Sequence, residues 1–453
     1  MTSTRTHWAT VLALTAILPA SVGVGGCSSA ARHGSVTVLA TWTGGEADDF
    51  KKALDRFERD KHIHVNYVGT RDVDQVLLTD VRNGTPPDIA ILPNPGGLAA
   101  YRDKLKPLDD VLKEQKNAYS QSWQRLQRLG KEREPLVAVP VKADLKSIVW
   151  YPTRLGYQTQ PKTVQSPVDL TRRMVRAGVR QPWCLGMSSP PLSGWPGTDW
   201  IEDILLHQQG SDAYGQWASG ELPWTSLKVQ QAWETWHDII SGRGLVKDKS
   251  VAASALLTNF ADAGRPMFAK SPGCSMEHQA SFIMKFYRDP KRQNGRTLRP
   301  GTNFDFFPFS DLREQPGPGQ PARPALEVSA DLAVMFNDTS QARDLMRYLA
   351  SPQGGVSGAF SANKRVAPDS NDSVSMSIHK MLTSDENTLC FDASDFMPAT
   401  MSTGFNQAVR EYLANPAPTR LGELLTDLDQ IRKDLKKATV GENSQDWLAN
   451  PCG

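Results

Sequence analysis

Tryptophan and carboxylate residues recur together in this sequence, in positions where they could hold a solute by contact. The chain has 12 Trp residues beside 9 Tyr and 15 Phe, and many of the Trp residues stand next to Gly, Pro or Asp. Indole faces stack on apolar surfaces, whereas carboxylates, amides and Lys hydrogen-bond polar groups. This context is more typical of a binding site than of a core.

Two short segments carry the clearest candidates. Trp195 and Asp199 lie in the motif GWPGTDW at 194–200, a Gly- and Pro-rich loop that opens a helix, where helix capping is the structural alternative for Asp199. Trp42 and Glu46 lie at the turn between the first predicted strand and the first predicted helix. There the alternatives are a Trp packed beneath the loop and a Glu placed in a first helical turn by the helix dipole.

The sequence gives little support for covalent catalysis. The run GVSGA at 355–359 lacks the last Gly of GxSxG, and the sequence contains neither HExxH nor a P-loop. A glycan hydrolase is the alternative, with Glu202 and Asp203, or Asp199 and Glu277, as its acid–base pair. Such carboxyl groups stand about 5–5.5 Å apart in retaining enzymes and about 6.5–9.5 Å apart in inverting ones. We expect a protein that is not an enzyme and that needs no cofactor or metal.

Composition and charge narrow the class of ligand. The chain has 453 residues with a net charge of +2, 39% hydrophobic and 22% charged residues, which is ordinary for a globular protein of two or three domains. No basic field points to nucleic acid. We therefore expect a small, neutral ligand.

The N-terminus predicts export and anchoring. A weakly basic start is followed by an apolar run at 9–20, which is shorter than the ~20 residues that span a bilayer. The run VGGC at 24–27 looks like a bacterial lipobox, so that residues 1–26 would be the signal peptide and Cys27 the lipid-bearing first residue of a tether at 27–34. We expect a lipid anchor on the extracytoplasmic face of a bacterial membrane.

The other four Cys residues form an even set in an oxidising compartment. They allow three pairings, of which we favour the two that each close within one stretch of chain. The favoured pairs are Cys184–Cys274 and Cys390–Cys452.

Hydrophobic periodicity predicts an α/β protein. The expected elements are strands at 36–42, 62–68, 88–92 and 325–336, two extended segments within 136–151 that join at 142–144, and helices at 45–61, 72–82, 340–350, 373–383 and 403–438. In chain order, the elements at 36–42, 45–61, 62–68, 72–82 and 88–92 form a βαβαβ unit, which predicts a parallel, doubly wound sheet. Ligands of such sheets lie beyond the carboxyl ends of the strands. Those ends are at 41–46 and 93–97.

Over roughly residues 36–450 the sequence resembles the family 1 extracellular solute-binding proteins of carbohydrate ABC importers, and within them most closely the α-glucoside-binding branch. The motifs that carry the resemblance are PWCLGM (182–187), GWPGTDWIED (194–203), GCSMEHQASF (273–282) and DASDFMP (392–398), with WTGGE (42–46), PPDIAIL (86–92), VPVKADLKSIVWY (139–151) and YLASPQGG (348–355) in support.

The resemblance implies two doubly wound α/β lobes joined by a hinge that the chain crosses three times, as in periplasmic binding proteins. Lobe one would comprise 35–142 and 309–358, and lobe two 143–308 and 359–453. The family captures solute in the cleft between the lobes, which close on it and present it to membrane permease subunits. We expect a monomer.

A sugar would need aromatic platforms for its C–H faces and polar groups for its hydroxyls. The candidate ligand-binding residues are Trp42, Glu46, Asn94, Lys142, Asp144, Trp195, Asp199, Glu277, Gln279 and Asp395. Turn chemistry is the alternative for Asn94 and a hinge salt bridge for Lys142. A peptide, a polyamine or a phosphorylated compound in the same fold is the alternative to a sugar.

Overall fold

The computed structural model describes residues 34–129, 133–156, 166–240, 250–309, 325–366, 368, 370–438, 447–448 and 450–452. The predicted signal peptide and Cys27 lie outside these residues. Within the described ranges, no helix combines the length and the apolar character that crossing a bilayer requires.

Strands and helices alternate along the chain. The strands are β1 (Ser35–Ala40), β2 (His64–Gly69), β3 (Ile89–Leu92), β4 (Ala138–Leu145), β5 (Ile148–Pro152), β6 (Glu277–His278), β7 (Phe304–Pro308), β8 (Ala325–Met335) and β9 (Thr388–Phe391). The helices are α1 (Gly44–Lys61), α2 (Val73–Arg82), α3 (Pro95–Ala99), α4 (Gln121–Leu126), α5 (Pro167–Arg176), α6 (Trp195–Ala218), α7 (Leu227–Ile240), α8 (Ser250–Ala255), α9 (Phe260–Ala263), α10 (Met284–Arg288), α11 (Ser340–Leu349), α12 (Ser373–Thr383), α13 (Ala393–Phe396), α14 (Ala399–Ala414) and α15 (Pro418–Ala438).

The first sheet begins as the parallel unit that the sequence predicts. β1 lies between β2 and β3 and runs parallel to both, with α1 and α2 as the connections. Alternation along β1 places Val36 and Val38 with the apolar residues of α1 on one face and Leu39 with those of α2 on the other. The predicted βαβαβ unit is confirmed.

A two-stranded ribbon extends this sheet. β8 runs antiparallel to β3 and to β4, and its first half pairs in parallel with β9. β4 continues to Leu145, past the joint that the sequence placed at 142–144, because it stays paired with β8 along this stretch. The joint between β4 and β5 is instead at 146–147, where the chain leaves the first sheet for the second.

The second sheet is smaller than the first. β5 lies between β6 and β7 and is antiparallel to both, so this sheet lacks the parallel winding of the first one. Helices α5 to α10 and α12 to α15 supply most of this part of the molecule. The α/β class is confirmed, with helices in place of a wide second sheet.

Most indoles belong to the core, contrary to the sequence-based interpretation of their context. The buried Trp residues are Trp42, Trp123, Trp150, Trp183, Trp200, Trp217, Trp224, Trp233 and Trp236. Trp217 and Trp224 pack edge-to-face against Phe405 on α14, and the Trp233 ring lies tilted against it. Burial of this large aromatic area is what holds the helical part together.

Both favoured disulfides are present. Cys184 is bonded to Cys274 and Cys390 to Cys452. The first bridge lies where the backbone of Cys184 pairs with that of Met276, and the second fixes the C-terminal residues against β9. Each bridge therefore closes a long loop of chain at a point that is already packed.

We expect the Cys390→Ala, Cys452→Ala double variant to be less stable than the wild type. Loss of a bridge between residues 62 positions apart removes a constraint on the unfolded chain. In the chain-entropy model this lowers the free energy of unfolding by about 4 kcal/mol. Urea denaturation measures the change, and an unchanged midpoint with an unchanged slope would contradict it.

Candidate functional site

The carboxyl ends of β1, β2 and β3 meet at one edge of the first sheet, as their parallel order requires. Glu46, at the start of α1, forms an ion pair with Arg71, which follows β2. Asn94 follows β3, and its side chain hydrogen-bonds Asp74. The sequence candidates Trp42, Glu46 and Asn94 therefore lie along one edge.

Trp42 is buried at this edge and supports other groups. The Lys142 ammonium lies 3.8 Å from the centroid of its ring, a cation–π contact that covers one indole face. The indole N–H donates to Asp331 at 3.1 Å. With 2% of its surface exposed, Trp42 is not an open stacking platform but holds Lys142 and Asp331 in place.

The ribbon of β4 and β8 presents a polar face. Lys142 lies opposite Asp331 and Asp144 lies opposite Ser329, and all four are partly exposed while their neighbours along the strands are buried. Residues directly opposite on paired strands share a face. The ribbon therefore offers one ammonium, two carboxyl groups and one hydroxyl on the same surface.

Burial tunes the two carboxyl groups of this face. It raises the pKa of Asp144 to about 6, although a hydrogen bond donated by the Ser281 hydroxyl at 2.7 Å acts in the opposite direction. Burial also raises the pKa of Asp331, against the lowering effect of Lys142. Both groups are held beside an ammonium in a site partly withdrawn from water.

Lys146, directly after the ribbon, forms a buried ion pair. Its ammonium lies 2.8 Å from a carboxylate oxygen of Asp199 on α6 and also contacts Asp392, which precedes α13. Burial would lower the pKa of the Lys146 ammonium, but the charges of Asp199 and Asp392 raise it well above its usual value. Burial raises the pKa of Asp199 to about 6.

The GWPGTDW motif forms the start of α6. Gly194 precedes the helix with φ 117°, and a Cβ there would lie 2.4 Å from the backbone oxygen of Asn406, so the position requires Gly. Pro196 occupies the first turn, where its missing N–H costs nothing. This tight entry leaves Trp195 partly exposed, with the Lys146 ammonium 5.9 Å from the centroid of its ring.

Trp195 is one of four partly exposed aromatic residues that touch one another. Its ring centroid lies 5.0 Å from that of Phe260 and 5.9 Å from that of Phe282. Phe286 lies 5.7 Å from Phe260. These four residues are called the aromatic wall below, and they stand beside the polar face of the ribbon because Ser281 binds Asp144 and Phe282 follows it.

The carboxylates proposed for hydrolysis have structural partners. Asp203 is held between His207 at 3.0 Å and His278 at 2.8 Å, and Glu202 accepts from the backbone N–H of Ala393 at 2.6 Å. Both side chains are buried. Histidine charge lowers the pKa of Asp203 against its burial, whereas burial raises the pKa of Glu202 well above its usual value.

A cation could in principle meet three carboxyl groups here. Oxygen atoms of Asp199, Glu202 and Asp392 lie within 4.8 Å of one another. The Lys146 ammonium contacts two of these three groups and supplies the positive charge that they require. We therefore describe the cluster as a lysine ion pair and assign no metal to it.

Glu277 and Gln279, two of the candidate ligand-binding residues, are buried, with 2% and 3% of their surface exposed. Glu277 accepts a hydrogen bond from the Tyr287 hydroxyl, and the Gln279 side chain accepts from the backbone N–H of Ala280 at 3.0 Å. Alternation along β6 turns His278 instead toward Asp203 on α6. Neither Glu277 nor Gln279 enters the site proposed below.

Asp395, the last of the candidate ligand-binding residues, lies on α13. It is partly exposed, and its backbone N–H donates to Asp392 at 2.7 Å. Burial and the nearby charge of Asp392 raise the pKa of Asp395 well above its usual value. Asp395 therefore stands beside the Lys146 ion pair at the margin of the site.

Sequence reasoning missed several groups of this region. Asp331 and Ser329 alternate with buried residues along β8, so the period-2 pattern of 325–336 could have identified their face. Phe282 is the last residue of the GCSMEHQASF motif, but the motif alone did not identify it as a site residue. Lys146 gave no local signal, because its partners are far away in the sequence.

Comparison with known proteins identifies relatives over most of the chain. Residues 43–356 match the family described as bacterial extracellular solute-binding protein. The alpha-glucosides-binding periplasmic protein AglE of Rhizobium meliloti is 30% identical over 386 residues, which cover 82% of this chain and 81% of that protein. The osmoprotective compounds-binding protein GgtB of Synechocystis is 30% identical over 405 residues, 85% of this chain and 90% of that one.

Solved structures share the fold. A chitin oligosaccharide binding protein superimposes with a TM-score of 0.68 at 15% identity, over 88% of this chain and 98% of that one. The maltose-bound MalE3 of T. maritima gives a TM-score of 0.62 at 16% identity, over 89% and 100%. At such identities the likeness concerns the two-lobed fold alone.

The raised pKa of Asp144 has a measurable consequence for stability. The folded protein keeps this proton up to about pH 6, whereas the unfolded chain loses it near pH 4. The folded state therefore binds more protons in this window, so the contribution of Asp144 to stability falls as pH rises from about 4 to about 6. We expect Asp144→Asn, which can still accept from Ser281, to melt higher than the wild type at pH 7 and to lose this advantage at pH 4.

Calorimetric melting of both proteins across this pH range checks the expectation. A difference in melting temperature that is the same at pH 4 and pH 7 would contradict the assignment of the proton to Asp144.

Proposed function

Because the chain belongs to the family of bacterial extracellular solute-binding proteins, which are not enzymes, we propose that it captures an α-glucoside or another small oligosaccharide between its two lobes. It would then deliver the sugar to the permease of an ABC importer. The observation that carries the proposal is the meeting of the aromatic wall with the polar face of the ribbon.

Each half of this site suits one surface of a sugar. The exposed part of Trp195, with Phe282 beside it, offers an apolar wall for the C–H face of a ring. Lys142 can donate to ring hydroxyls, and Asp144 and Asp331 can accept from them. Selectivity in such a site comes from its shape and from a few placed polar groups.

Charge supports a ligand without negative charge. The ribbon carries Asp144 and Asp331 against the single ammonium of Lys142, while Lys146 is already paired. An anion would meet repulsion from these carboxyl groups. A neutral sugar meets none and can donate its hydroxyl protons to them.

The same excess of carboxyl groups favours a cationic solute as the second candidate. The relative GgtB is named for osmoprotective compounds, so relatives at this identity differ in the solutes for which they are named. A polyamine or a small osmolyte therefore belongs in any ligand screen.

We also propose the lobe boundaries and the anchor that the sequence suggests. Lobe one would comprise 35–142 and 309–358, and lobe two 143–308 and 359–453. A lipid on Cys27 would tether the protein near its permease and raise the effective concentration of the two partners. Palmitate labelling of the wild type and of Cys27→Ala tests the anchor separately from the ligand.

A thermal-shift screen tests the proposed ligand class. Ligand that binds only the folded protein raises the melting temperature by mass action. We expect maltose-series sugars to raise it, and spermidine, dipeptides and sugar phosphates to leave it unchanged. A shift with spermidine alone would contradict the proposal in favour of a cationic solute, and release of glucose during incubation would favour a hydrolase.

Trp195→Ala should weaken binding of the active sugar by about tenfold or more, because loss of stacked aromatic area costs at least about 1.4 kcal/mol. Glu277→Gln is the matched control: Gln can still accept from Tyr287, and the residue lies away from the ribbon, so the shift should persist. An unchanged shift in Trp195→Ala, or its loss in the control alone, would contradict the site.

A further inference from the structure

The segment 281–288 connects the ribbon, the aromatic wall and helix α1. Ser281 binds Asp144 on the ribbon, and Phe282 and Phe286 belong to the aromatic wall. Lys285, between these two aromatic residues, reaches in another direction and contacts α1 beside the first sheet. One short stretch therefore links the wall to both sides of the site.

The partner of Lys285 is Asp49. The Lys285 ammonium lies 2.7 Å from one carboxylate oxygen of Asp49, and Lys52, on the same helix as Asp49, lies 3.0 Å from the other. Burial would raise the pKa of Asp49, but the hydrogen bonds from Lys285 and Lys52 lower it below its usual range. The Asp49 carboxylate is thus held between the ammonium of Lys52 on its own helix, α1, and that of Lys285 on α10, on the opposite side of the site.

The Asp49–Lys285 pair connects α1 to α10, whereas the contact between Asp49 and Lys52 lies within α1. Asp49 lies one turn beyond Glu46, where α1 begins at the ligand edge of the first sheet, and Lys285 lies on α10, between β6 and β7 of the second sheet. A second close approach lies at Gly96, where a Cβ would stand 2.0 Å from the backbone oxygen of Met397. The two sides of the site therefore meet in this structure.

We infer that the Asp49–Lys285 ion pair is a latch between the two lobes that slows release of the bound sugar, and that both residues act as positioning residues for the aromatic wall. The inference rests on the proposed function. Movement of the two sides apart by a few ångströms breaks the pair, so its energy belongs to the closed state alone. The Lys285 side chain is 43% exposed, so the effect is modest and falls with added salt.

The experiment compares single and double variants. Lys285→Met and Asp49→Asn should each raise the dissociation rate of maltotriose about two- to fivefold, the range of an exposed ion pair. The double variant should be no faster than either single one. Stopped-flow tryptophan fluorescence measures the rate at low salt and in 1 M NaCl, where the wild type should approach the variants and the variants should change little.

Lys52→Met is the matched control, since it removes an ammonium from the same carboxylate without touching the far side. It should leave the rate near that of the wild type. A charge exchange, Asp49→Lys with Lys285→Glu, should restore part of the slow release, which a merely structural role would not do. Equal effects of Lys52→Met and Lys285→Met, or additive effects in the double variant, would overturn the latch.

Small-angle scattering of the ligand-free protein separates this inference from the identity of the ligand. Lys285→Met should increase the radius of gyration relative to the wild type, and Lys52→Met should not. If maltotriose fails to bind, the sugar proposal fails while the scattering still tests the latch. If maltotriose binds, an unchanged radius of gyration together with an unchanged release rate in Lys285→Met overturns the latch. If maltotriose does not bind, an unchanged radius of gyration alone overturns it.

Discussion

The buried contact of Lys146 with Asp199 and Asp392 is the interaction on which the site depends. It joins the end of the ribbon, the N-terminal part of α6 and the start of α13, three stretches that are distant in the sequence. Removing one partner of such a pair leaves an uncompensated buried charge and costs about 3–5 kcal/mol. The ion pair therefore fixes where these three stretches meet.

The neighbouring residue extends this junction. The Ser147 hydroxyl donates to Asp203 at 2.5 Å and accepts from the backbone N–H of Glu327 at 2.7 Å. Lys146 and Ser147 are the two residues between β4 and β5, so the point where the chain leaves the first sheet is bound to α6 and to β8. The Trp195 ring, at the start of α6, is positioned relative to the ribbon by these contacts.

Local patterns predicted the parts of the molecule that local chemistry decides. The alternation of β1 and β2, the Gly and Pro residues on either side of Trp195 and the two disulfides were all visible along the chain. The burial of Trp42 could not be predicted, because the sequence around an indole in a loop is the same whether Lys142 or a ligand covers the ring. The structure supplied that distinction.

Long-range pairing decided the remaining site residues. Asp331 matters because β8 pairs with β4 in the register that sets it opposite Lys142, and Lys146 matters because three distant stretches converge on it. The burial of Glu277 was not predictable for the same reason: a strand pattern gives two faces but does not say which of them is packed in the interior. Side-chain identity alone could not have chosen between them.

The most direct test of the proposed sugar site is a crystal structure of the protein with the sugar that gives the largest thermal shift. We predict one sugar ring against Trp195, with hydroxyl oxygens about 2.7–3.2 Å from polar atoms of Lys142, Asp144 or Asp331. A sugar bound without contact to either the aromatic wall or the ribbon would contradict it.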